Sequence, residues 1–145
     1  MTPFKIGVTG TRWGTTKPQI RALLHFLLYE EDEIREFHHG DCRGADIEAA
    51  AVAVSLGYRV VCHPPVSTSM RGFFDKNAET REPKWYGERD KNIVNETSVL
   101  VALPHTQYEI PRSGTWLTVR YARELGRPIT IIFPDGKIKQ ENYKP

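Results

Sequence analysis

Short apolar runs alternate with stretches of helical period along the whole chain. Residues 4–8 form a β-type run stopped by Gly10-Thr11-Arg12-Trp13-Gly14. Beyond it, Ile20, Leu23, Leu24, Leu27 and Leu28 recur at the spacing of an amphipathic helix, with Thr16 placed to cap it and Pro18 in its first turn. Acidic residues 30–33 close that segment. Residues 36–39 predict a second strand, stopped by Gly40. An alanine-rich helix then starts at Gly44 or Asp46 and runs to about Leu56, where Gly57 ends it. Residues 58–62 predict a third strand, halted by Pro64-Pro65. Residues 66–84 show no clear period, and a loop this long often carries function. A helix over 86–95, a strand over 98–103, a loop over 105–112, a helix over 115–125 ended by Gly126 and a strand over 129–133 follow. The remainder is a polar tail.

Strand–helix alternation with near-continuous Val, Ile and Leu strands predicts an α/β fold with a mainly parallel sheet covered on both faces. The expected strand order is 3-2-1-4-5, with right-handed crossovers, in one domain over residues 1–145. Ligands of such sheets sit beyond the carboxyl ends of the strands, where the winding reverses. Here that crevice lies between the first and fourth strands.

Turn chemistry selects the same place. The fourth strand ends at Pro104, and Ser113-Gly114-Thr115 opens the helix after its loop. The first N–H groups of a helix lack intrahelical partners, and the helix dipole adds partial positive charge there. Glycine permits close approach and the hydroxyls add donors, which suits a phosphate. Gly10, Thr11 and Arg12 lie opposite, and Arg12 is able to hold a phosphate through two parallel hydrogen bonds. A nucleotide or nucleotide-derived ligand is therefore expected at these six residues. Plainer roles stay open: Ser113 as an N-cap, Gly10 and Gly14 as turn formers, Arg12 as a solvated loop residue. Gly40, Arg43 and Asp46 flank the start of the second helix and join the candidate ligand residues. Asp46 suits capping alone, whereas the cation Arg43 opposes the dipole unless an anion or acidic neighbour sits beside it.

Charge narrows the partners. Twenty basic against 18 acidic residues give a net +2. That argues against non-specific nucleic-acid binding and leaves only a local basic patch open. No run approaches about 18 apolar residues, so no membrane span is expected. The start of the chain lacks a secretory h-region, and two cysteines, Cys42 and Cys62, fit reduced thiols in a cytoplasmic protein. His38, His39 and Cys42, or Cys62 and His63, raise zinc, but their spacing matches no zinc pattern and strand neighbours 38 and 39 point to opposite faces. No metal and no cofactor is expected. Trp13, Phe73, Phe74, Trp85, Tyr86, Tyr108 and Trp116 lie near predicted loops, placed to stack on a base, fill core edges or meet another subunit. The segment Met70-Arg71-Gly72-Phe73-Phe74 reads as a lid or a dimer arm.

On these residues the chain resembles the SLOG superfamily of Rossmann-like, three-layer α/β/α proteins. That group holds the Lonely Guy phosphoribohydrolases, the core of DNA-processing protein A and small YspA-like members. The resemblance rests on Gly7-Val8-Thr9-Gly10-Thr11-Arg12, His39-Gly40-Asp41-Cys42-Arg43-Gly44-Ala45-Asp46, Arg89-Asp90-Lys91-Asn92-Ile93-Val94 and Pro104 followed by Ser113-Gly114-Thr115. The second and third blocks are most similar to the YspA-like branch.

The resemblance implies hydrolysis of the N-glycosidic bond of a nucleoside 5′-monophosphate, as in the Lonely Guy enzymes. Those use an arginine before the fourth strand and a Pro-Gly-Gly-x-Gly-Thr-x-x-Glu motif after it. Arg89 matches the arginine and Gly114-Thr115 the Gly-Thr, with an insertion after Pro104. The glutamate position falls at Thr118, which is no carboxylate. Cleavage needs an acid near the ribose, so Arg89 and Asp90 become the candidate catalytic pair, with Glu88, Asp46 and Glu109 as alternative acids. A solvated charge face is the competing role for Asp90. Two further readings stand beside hydrolysis: a non-catalytic sensor or sequestering protein for a nucleotide signal, and single-stranded DNA binding. The superfamily also implies a homo-oligomer paired through helices beside the sheet.

Overall fold

The computed structural model describes residues 4–28 and 35–143. The elements run β1 (Phe4–Gly10), α1 (Lys17–Leu28), β2 (Arg35–His39), α2 (Ala45–Ser55), β3 (Arg59–Cys62), β4 (Glu79–Thr80), α3 (Tyr86–Asn95), β5 (Val99–Leu103), α4 (Gly114–Glu124), β6 (Ile129–Ile132) and β7 (Ile138–Glu141). They form one seven-stranded sheet of order β4-β3-β2-β1-β5-β6-β7. The expected five-strand order is its centre. Every pairing is parallel except the last, β6 with β7.

The two added strands lie at the edges, where the hydrophobic pattern carries no signal. β4 is a two-residue pairing, Val61 with Glu79 and Cys62 with Thr80, inside the segment read as a loop. β7 has no apolar face to bury. A turn through Asp135-Gly136 folds it onto β6, with Gly136 at φ 88° and the Phe133 amide 2.9 Å from the Lys137 carbonyl. Aspartate followed by glycine favours such a hairpin, a cue the polar tail did contain. The acidic residues 30–33 lie outside the described residues.

The period of two along each strand splits the core between the faces. Ile6, Val8, Phe37, Val60, Val101 and Leu103 pack against Leu23 and Leu27 of α1 and the alanines of α2. Leu100, Ala102, Ile129 and Ile131 pack against Val94 of α3 and Trp116, Val119 and Ala122 of α4. β1 therefore leads to a helix on one face and β5 to a helix on the other. That opens a crevice between their carboxyl ends.

Thr16 and Gln19 fasten the start of α1 to the sheet. The Gln19 amide donates to Thr16 Oγ1 at 3.1 Å and the Thr16 amide to Gln19 Oε1 at 3.3 Å, a reciprocal cap on α1. Gln19 Nε2, fully buried, donates to the carbonyls of Pro104 and Ile132, each at 2.8 Å. One side chain thus ties the helix start to the ends of β5 and β6. Gln19→Leu leaves both carbonyls unpaired and is expected to cost about 2–3 kcal/mol, read from the urea midpoint.

Candidate functional site

The crevice is a cavity of about 450 Å³. The β1 corner contributes Gly10, Thr11, Arg12 and Trp13 to its wall, and the α4 corner contributes Arg112, Ser113, Gly114 and Thr115. Asp46, Tyr86, Arg89 and Asp90 line it as well. Of the eleven residues proposed from sequence, nine meet here; Gly40 and Arg43 do not.

The α4 corner is an open helix start. Ser113 is its N-cap and accepts the Trp116 amide, while the Leu117 amide closes the first turn on the Ser113 carbonyl at 2.8 Å. Among the described residues no acceptor reaches the amides of Gly114 and Thr115, so both are available to a ligand. The β1 corner differs from expectation. The Thr11 amide donates to Leu103 at 3.0 Å, the Thr11 carbonyl takes the Ala45 amide, and Thr11 Oγ1 accepts from Trp13. Gly10 is small because a Cβ there would lie 2.5 Å from that of Ala45 on α2. This corner offers the exposed Arg12 guanidinium, which stacks 4.8 Å above the Trp13 ring, and the Arg12 amide, which no acceptor reaches among the described residues. Arg112 and His105, both exposed, add two basic side chains from the β5–α4 loop. Sequence reasoning passed over both, although a loop at the sheet's switch point marked the place.

Beside them stands a buried charge cluster. Arg89 Nε is 2.6 Å from Asp90 Oδ1, Nη1 donates to the carbonyls of Gly40 and His63, and Nη2 lies 3.6 Å from Cys42 Sγ. Four of its five N–H donors are thereby committed to protein, and its guanidinium also packs 5.3 Å from the Tyr86 ring. Asp46 Oδ2 accepts the amides of Gly40 at 3.0 Å and Cys42 at 3.5 Å, so its carboxylate holds the loop ahead of α2. It does not cap the helix, whose N-cap is Gly44. Gly40 is required by close approach: a Cβ there would collide with the Arg89 guanidinium and Asp46. Its place is behind the cavity wall. Arg43 is exposed and outside the cavity lining.

Burial pushes Asp46 up to about 6, against the pull of Arg89. Burial also raises Asp90, opposed by Arg89. Arg89 itself loses by burial but is raised overall by the carboxylates of Asp90 and Asp46. Because the folded pKa of Asp46 exceeds its unfolded value of 3.8, its ionisation opposes folding. Its contribution is full below pH 3.8 and is lost as pH rises through about 6. The stability of the parent relative to Asp46→Asn is expected to fall by about 2 kcal/mol between pH 4 and pH 7. Urea unfolding of both proteins across that window checks this, and parallel profiles contradict it.

Of the alternative acids, Asp46 lines the cavity, whereas Glu88 and Glu109 do not. Glu88 is exposed. Glu109 pairs with Arg120 at 2.9 Å and Arg123 at 2.8 Å. Of the aromatic residues, Trp13 and Tyr86 reach the wall, whereas Trp116 is buried in the core beneath α4 and Phe73, Trp85 and Tyr108 are exposed elsewhere. Met70 also lines the cavity, and Arg71 anchors its segment by an ion pair to the buried Asp41 at 2.8 Å. No helix among the described residues is long and apolar enough to cross a membrane.

No protein-family model and no curated protein matches the chain. Solved structures do. The molybdenum cofactor binding protein of the phototrophic bacterium Rippkaea orientalis superposes with a TM-score of 0.68 over 92% of this chain and 78% of its own, at 17% identity. DNA processing protein A of Streptococcus pneumoniae gives 0.67 over 89% of this chain at 18% identity, and this chain spans 50% of that one. The molybdenum cofactor carrier protein of Chlamydomonas reinhardtii gives 0.63 over 90% and 76%, at 20% identity. Sequence identities this low leave backbone architecture as the shared property, and the chain has the Rossmann-like α/β fold of these proteins.

Proposed function

We propose that the chain binds a nucleotide or nucleotide-derived small molecule in the crevice between β1 and β5. The observation that carries this reading is the pair of unpartnered amides, Gly114 and Thr115, sharing one cavity with Arg12 and Arg112. Amides at a helix start and two guanidiniums suit an anion such as a phosphate. Trp13 and Tyr86 offer ring faces for a base, and Asp46 and Asp90 offer acceptors for sugar or base donors. The blocks at 39–46 and 89–94 resemble those of the YspA-like branch. Proteins of the same fold described as binding the molybdenum cofactor add support for a small-molecule ligand. A net charge of +2 argues against an oligonucleotide, although single-stranded DNA binding is described for DNA processing protein A of Helicobacter pylori.

One observation favours hydrolysis as a second reading. Thr118 stands where the Lonely Guy enzymes carry their glutamate; its hydroxyl donates to the Gly114 carbonyl at 2.9 Å, and Asp90 of α3 lines the same cavity as Gly114. An acid from α3 thus occupies the neighbourhood of the missing one. In this reading Asp90 takes a proton from water as the oxygen adds to the anomeric carbon. The N-glycosidic bond breaks, and the base leaves with that proton. Arg89, with most of its donors committed, positions Asp90 instead of gripping substrate.

Incubation with a panel of nucleoside 5′-monophosphates, read both for retained ligand and for free base, tests both readings. Retention of intact ligand supports the binding function, and base release that disappears in Asp90→Asn adds the enzyme. No retention and no release by any member overturns both.

A further inference from the structure

A second polar cluster lies away from the cavity wall, between the sheet and the carboxyl end of α3. His38 on β2, His63 just beyond β3 and Glu96 at the C-cap of α3 bring ligand atoms within 4.8 Å of one another. His38 Nε2 is 3.0 Å from Glu36 Oε1, and His38 Nδ1 is 2.8 Å from His63 Nε2. A neutral imidazole carries one N–H. With His38 donating to Glu36, its Nδ1 accepts from His63 Nε2, which leaves His63 Nδ1 a bare lone pair. That lone pair faces Glu96 Oε2 at 3.8 Å. Among the described residues no donor reaches either atom, and the His63 side chain is only 2% exposed. Two acceptors aimed at each other are poorly satisfied by protein alone. A cation resolves the conflict.

We infer that His38, His63 and Glu96 bind a divalent first-row transition metal, with zinc the best match to two imidazoles and one carboxylate. The surroundings are built as such sites are. Glu36 fixes the ring of His38 from behind, and Arg81 Nε and Nη2 hold Glu96 Oε1 at 3.0 and 2.8 Å, turning Oε2 toward the histidines. A tetrahedral ion with bonds of about 2.1 Å spaces its ligand atoms about 3.4 Å apart. The imidazole pair must open slightly to reach that spacing and the Glu96 side chain, 34% exposed, must turn inward. A fourth position is left for water. The carboxylates of Glu36, Glu79 and Glu96 outnumber the guanidiniums of Arg59 and Arg81, so the region carries net negative charge. To ligate through Nε2, His63 passes its ring proton to Nδ1, where it faces the Glu96 carboxylate. The spacing argument against a metal considered only neighbours in sequence. These three ligands come from three elements.

Calorimetric titration of the full chain with Zn²⁺, paired with the visible spectrum of Co²⁺ in its place, tests the site. The expected result is one ion per chain and an intense four-coordinate Co²⁺ band. Glu96→Gln is expected to weaken binding at least about 10-fold and His63→Gln about 100-fold, while His25→Ala on the exposed face of α1 leaves it unchanged. If His63→Gln fails to fold, Glu96→Gln decides, its side chain being partly exposed and nearly isosteric. Absence of stoichiometric Zn²⁺ binding overturns the site, as does equal affinity in the parent and Glu96→Gln.

Discussion

Arg89→Ala is expected to cost about 3–5 kcal/mol of stability, a large share of what a domain of this size possesses. The guanidinium is only 6% exposed and serves four protein groups from one position on α3. Removing it leaves Asp46 and Asp90 without their cation and the carbonyl of Gly40 without its donor. A buried carboxylate deprived of its partner costs far more than the net worth of the pair. Arg89→Lys restores little, because an ammonium cannot reach Asp90, Gly40 and Cys42 in the fork geometry of a guanidinium. The double variant Arg89→Ala/Asp46→Asn is expected to recover part of the loss, since it removes one of the stranded charges. Urea midpoints of the three variants measure this. A loss below about 1 kcal/mol for Arg89→Ala contradicts the assignment of Arg89 as the post that holds both carboxylates.

The second large effect concerns binding. Arg12→Ala/Arg112→Ala is expected to weaken binding of a nucleoside 5′-monophosphate by at least about 100-fold, each single substitution giving roughly 10-fold. Both side chains are exposed at the cavity mouth, so the fold is expected to survive their loss. The double variant should also lose most of the salt dependence of binding, because the two cations supply the screened part of the attraction. Calorimetry at low and high ionic strength reads both quantities. An affinity within about 3-fold of the parent contradicts an anion held between these two arginines.

What the sequence revealed follows from how far each interaction reaches along the chain. The central strands and all four helices were legible because each repeats its own period over several residues. β4 and β7 were not: one is two residues long, and the other is polar on both faces. The two corners of the crevice were legible because turn chemistry and sheet winding select them independently. The cluster of Asp46, Arg89 and Asp90 joins segments more than forty positions apart, so no local spacing shows it. The helical period singles out only apolar residues of α1, yet its Gln19 carries four hydrogen bonds that tie the helix start to the ends of β5 and β6. Arg43 looked bound to a ligand because its charge opposes a helix start, and it lies exposed outside the cavity lining. Glu109 looked available as an acid, and Arg120 and Arg123 claim it.

Amide NMR of the chain titrated with a nucleoside 5′-monophosphate tests the central claim most directly. Saturating shifts of the Gly114 and Thr115 resonances, accompanied by Arg12 and absent from the outer face of α1, are the predicted result. Unmoved Gly114 and Thr115 amides under a ligand that demonstrably binds would place the site elsewhere.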